Sequence, residues 1–82
     1  MNKMSKVNAA FIILQESKRE MSCKEIIKIA LEKELIETKG KTPEQTLRVD
    51  INKEIERRNK RNKPQRFVMH NGGIVSLVET NQ

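Results

Sequence analysis

Arg66-Phe67-Val68-Met69-His70-Asn71-Gly72-Gly73-Ile74-Val75-Ser76-Leu77-Val78 is the stretch on which the fold turns. Upstream of it, apolar residues recur at helical spacing. Here two short β-prone runs, 66–70 and 74–78, flank Asn71-Gly72-Gly73. Asn and Gly accept φ > 0, so the triplet reads as a hairpin turn. A two-stranded hairpin is not stable alone in water and must pack on what precedes it. Phe67 with Val68, or Val75 with Leu77, are the side chains that offer that contact.

Three helical patterns precede the hairpin. The third has the sharpest start: Thr42 as N-cap, Pro43 at the first helical position, and Gln45 completing a capping box. Leu47, Ile51 and Ile55 then repeat every four residues, and the helix runs to about residue 58 or 60, ahead of Pro64. The second begins at Ser22, with Glu25 completing another box and Ile26, Ile27, Ala30 and Leu31 forming its apolar face. It fades near Glu34, and a Leu35-Ile36 apolar tab and a polar turn over 37–41 follow. The first spans about 5–16, with Val7, Ala10, Phe11 and Leu14 on one face and Ile12 and Ile13 widening it. Residues 17–20 read as a connection, and 79–82 as a fraying end. Three helices followed by a hairpin make a mainly α, winged helix-turn-helix arrangement. It forms one domain over 1–82, with its core from about 5 to 78.

Composition narrows the function. The chain has 82 residues, 35% apolar, with Phe11 and Phe67 as its two aromatics, so the core is aliphatic and a second domain does not fit. No apolar stretch approaches the ~20 residues of a membrane span, and residues 1–6 do not read as a secretory signal. One cysteine, Cys23, precludes an internal disulfide and fits a reducing, cytoplasmic compartment. One His and one Cys do not make a zinc site, and no constellation of acid, base and nucleophile emerges. The expectation is a non-enzymatic module without metal or cofactor. Gly40-Lys41-Thr42 has the ending of a phosphate loop, but that loop needs glycine where Leu35 stands.

The formal net charge is +6, and it is unevenly placed. Residues 1–40 carry eight Lys/Arg and six Glu; residues 41–82 carry nine Lys/Arg and five Asp/Glu. Arg57, Arg58, Lys60, Arg61, Lys63 and Arg66 form a run with no acid among them. Such a run is either a phosphate-contacting patch or a solvated loop. With Leu47, Ile51 and Ile55 inward, Gln45, Val49, Asn52, Lys53 and Glu56 face outward, with Arg48 and Arg57 on the flanks. A helix fits the DNA major groove, where Gln and Asn pair with adenine and Arg with guanine. Gln45, Arg48 and Asn52 are therefore base-edge candidates, and Val49 suits a thymine methyl. Lys41 and Thr42 flank the helix N-terminus, whose dipole favours an anion. Thr42 can equally be a plain cap, His70 an exposed strand end, Cys23 a small core residue, and Glu32, Glu34 and Glu37 a solvated strip.

The residues resemble the HARE-HTH family, a winged helix-turn-helix module found in ASX-like chromatin regulators, restriction-associated proteins and the delta subunit of bacterial RNA polymerase. The most specific run is Gly40-Lys41-Thr42-Pro43-Glu44-x-Thr46-Leu47. Ala9-Ala10 with Ile13-Leu14, Met21-Ser22 with Glu25-Ile26, Leu35-Ile36, Arg66-Phe67-Val68 and Gly73-Ile74-Val75-Ser76-Leu77 support it over roughly 7–78. Departures are Glu20 where proline is usual, Glu34 where glycine is usual, Asn52-Lys53-Glu54-Ile55 in place of Tyr-x-Asp-Ile, and Val75 in place of an aromatic. The resemblance implies duplex DNA binding in transcription, restriction or chromatin-type regulation. Protein docking on transcription or restriction machinery is the alternative, since one fold serves both. No second apolar stripe is visible, so the expected state is a monomer in the cytoplasm, nucleoid-associated if bacterial, or in the nucleus if eukaryotic.

Overall fold

The computed structural model describes residues 3–37 and 40–78. The expected fraying of 79–82 and part of the 37–41 turn lie outside them. Helix α1 covers Lys6–Ser17, strand β1 Met21–Ser22, α2 Cys23–Glu32, α3 Pro43–Lys60, β2 Phe67–His70 and β3 Ile74–Leu77.

Serine caps start the first two helices. Ser5 Oγ accepts the Asn8 N–H at 3.1 Å, and Ser22 Oγ accepts the Glu25 N–H at 3.1 Å. The Glu25 carboxylate is taken by Arg19 at 2.7 Å. At α3, Thr42 makes no side-chain cap bond, and only its carbonyl accepts, from Gln45 N–H at 3.1 Å. The expected box is thus not formed there, and Pro43 supplies the start by its fixed φ.

The helix ends share one device. Lys18, Glu34 and Asn62 adopt left-handed backbone, at φ 57°, 57° and 54°. Around Glu34, Leu35 N–H reaches Ala30 O at 2.9 Å and Glu34 N–H reaches Leu31 O at 3.1 Å; Lys63 to Arg58 and Asn62 to Asn59 repeat the pair after α3. These bonds satisfy carbonyls that a helix end leaves without partners.

The sheet has the order β1-β3-β2 and is antiparallel throughout. It therefore has three strands rather than the two expected, because Met21 and Ser22 pair with Val75 and Ile74. Two residues inside a polar connection give no alternation by which to see a strand. The hairpin pairs Phe67 with Leu77 and His70 with Ile74, and it turns through Gly72 and Gly73 at φ 80° and 76°.

Ala9, Ala10, Ile13 and Leu14 of α1 meet Met21, Cys23, Ile26, Ile27, Ala30, Ile36, Leu47, Ile51, Phe67 and Val75 in one core. Val7 and Phe11 are only partly buried, so the α1 face lies one residue round from the expected stripe. Of the hairpin candidates, Phe67 and Val75 are buried, while Val68 is 39% exposed.

Candidate nucleic-acid interface

Helix α3 positions most of the candidates. Leu47 and Ile51 have no exposed surface and fix its rotation. Gln45, Thr46, Val49, Asn52, Lys53 and Glu56 consequently line the exposed side. Val49 is 48% exposed at the centre of this face. Lys41 and Thr42 are exposed at its N-terminus, beside Glu44 in the first turn.

Arg48 lies on the flank toward the wing. Its Cδ and Nη1 are 3.9 Å from the point a Cβ on Gly73 would occupy, so it rests against the hairpin turn. It is also near Cys23. Burial pushes that thiol up from its ordinary value, and the Arg48 charge offsets this only in part. Cys23 is thus a protonated core residue at neutral pH and not a nucleophile.

The cation run does not behave as one patch. Lys53, Arg57, Lys60 and Arg61 surround a shallow basin on the C-terminal half of α3, with Glu56 as the acid there. Lys60 and Glu56 approach to 3.3 Å with side chains 75% and 69% exposed, a pairing of little energetic weight. Lys63 is exposed beyond the helix end. Lys53 and Arg57 also border a second depression against Ser5 and Asn8 at the start of α1, with Asp50 beside them.

Arg58 and Arg66 turn the other way. Arg66 forks onto Glu54, Nε donating to Oε2 at 3.0 Å and Nη2 to Oε1 at 2.6 Å. Arg58 Nε lies 3.5 Å from the same Oε2, and its Nη1 donates to Pro64 O at 2.9 Å. The Glu54 side chain is 8% exposed. Glu54 was not among the candidates, although its position held a signal. It follows Leu47 by seven residues and Ile51 by three, which puts a carboxylate on the inward face. A buried carboxylate needs cations, and the run nearby supplies them.

His70 sits on the outer side of the hairpin, Nε2 2.9 Å from Ser76 Oγ. Among the described residues, no group of His, Cys, Asp and Glu is placed to hold a metal ion. No described helix is long and apolar enough to cross a membrane.

Comparison with known proteins gives one match. A family model for HARE-HTH, described as a helix-turn-helix domain of ASXL and restriction endonuclease proteins, covers residues 4–79. No curated protein and no solved structure is a significant match.

Proposed function

Because this chain belongs to the HARE-HTH family over nearly its whole length, a helix-turn-helix, DNA-binding type of domain, we propose that it is a non-enzymatic module that grips duplex DNA mainly through phosphates. The observation that carries the reading is the basin of Lys53, Arg57, Lys60 and Arg61 beside the exposed face of α3. Cations gathered on one side of a helix release counterions when they meet a phosphate backbone. Lys63 extends the set beyond the helix end. Gln45, Arg48 and Asn52 are the base-edge contacts, and Lys41 and Thr42 meet phosphate at the N-terminus of α3. The setting is transcription, restriction or chromatin-type regulation, in a cytoplasmic or nuclear compartment, with the domain as a monomer.

A salt titration of binding to duplex DNA tests this. The expected result is an affinity that falls steeply and linearly on logarithmic axes. Absence of binding at low salt overturns it.

Protein docking is the second reading, and the half-exposed Val49 favours it. An apolar residue in the middle of an otherwise polar helix face suits a protein partner as well as a thymine methyl. A partner on transcription or restriction machinery that stays bound after nuclease treatment supports this reading. Association that disappears with the nucleic acid removes it.

A further inference from the structure

We infer that Glu54 is a positioning residue that divides the cation run in two. It retains Arg58 and Arg66 as internal counter-charges that fasten the first wing strand to α3. Arg57, Lys60, Arg61 and Lys63 are left as the set that meets phosphate. This inference rests on the DNA-binding reading for its second half only.

Glu54 is buried, and its two oxygens accept a planar fork from Arg66. Turning Arg66 outward to a phosphate would strand that carboxylate in an apolar surrounding, a penalty that one solvated phosphate contact does not offset. The guanidinium is also enclosed from its faces. Its central carbon lies 4.9 Å from the Phe11 ring centroid and 5.3 Å from that of Phe67. The two rings stand edge to face at 6.2 Å. Phe11, the partly buried aromatic of α1, thus shares one arginine with the wing.

Two further ties hold the segment 61–66 along the last turns of α3. Arg58 Nη1 donates to Pro64 O at 2.9 Å, and Gln65 Nε2 donates to Ile55 O at 2.9 Å. The segment is therefore a clasp, and Arg61 and Lys63 project from a fixed backbone. Two guanidiniums on one carboxylate leave a single net positive charge at the clasp.

The experiment measures the slope of log affinity against log salt on duplex DNA, together with thermal melting. Arg57→Gln, Lys60→Gln and Arg61→Gln each flatten the slope by about one. Arg58→Gln and Arg66→Gln leave the slope unchanged and lower Tm. Glu54→Gln frees both guanidiniums and steepens the slope, a change that a purely structural role does not produce; Glu54→Asp restores the original slope. A loss of about one in slope for Arg66→Gln, equal to that of Arg61→Gln, overturns the inference. If the unaltered domain does not bind duplex DNA, the functional reading fails, and a melting cycle decides the positioning role. Glu54→Gln and Arg66→Gln are then expected to be strongly non-additive, whereas additive losses overturn it.

Discussion

The two halves of α3 are attached to the domain by different forces. The first half is held by hydrocarbon: Leu47 and Ile51 have no exposed surface and sit among Ala, Ile, Leu and Phe side chains. The second half is held by charge. Glu54 takes the next inward position, and Arg58 and Arg66 close over it. Hydrophobic contact needs only shape and burial. An ion cluster needs geometry as well, and it contributes less than its distances suggest, because each charge has also left water. The two kinds of contact divide the labour. The apolar half fixes where the exposed face of α3 points, and the ionic half fixes where the wing begins.

The contrast can be broken at either end. The largest effect is expected from Leu47→Ala or Ile51→Ala, which removes a fully buried side chain from a small core. Each should lower the unfolding free energy by about 3 kcal/mol in urea titration, with little dependence on salt. Glu54→Ala should lower it by about 2 kcal/mol, because two guanidiniums lose their anion while keeping 25–30% exposure to water. An equal or larger loss than at Leu47 would reverse the ranking of the two halves.

The helix starts sharpen the same comparison. Ser22→Ala removes a cap hydrogen bond and should lower stability by about 1 kcal/mol, whereas Thr42→Ala should change it by no more than about 0.3 kcal/mol. Paired thermal melts distinguish them. The smallest expected effect is a gain. Glu34 holds left-handed backbone at φ 57°, a conformation that glycine adopts without a Cβ penalty. Glu34→Gly should therefore raise stability by about 0.5 kcal/mol, read as a small increase in Tm.

How far the sequence reveals this arrangement follows the same division. Apolar periodicity is additive along the chain, so Ile26, Ile27, Leu47 and Ile51 announce their helices, and Asn71-Gly72-Gly73 announces the hairpin. The helix ends are harder to place because Lys18, Glu34 and Asn62 do what glycine usually signals. Strand β1 escapes because two residues carry no period, and its existence depends on β3, more than fifty residues later. In the candidate interface, the run from Arg57 to Arg66 is visible as composition, but composition does not record direction. Which of its members turn inward depends on Glu54, and that follows only when the inward face of α3 is read through its charged position as well as its apolar ones.

Strand β3 lies in the middle of the sheet, yet it is the last of the three strands in chain order. Neither β1 nor β2 has a partner until Ile74–Leu77 is available. On a ribosome, the three helices emerge first with two strands that have nothing to pair with, and the sheet forms in one step when its centre arrives. Closing β1 onto β3 also joins the beginning of α2 to the far side of the hairpin. The contact has high sequence separation, which slows folding. In return, the wing cannot detach without releasing the strand that leads into α2, and so the most distal element of the fold is tied into its cooperative unit.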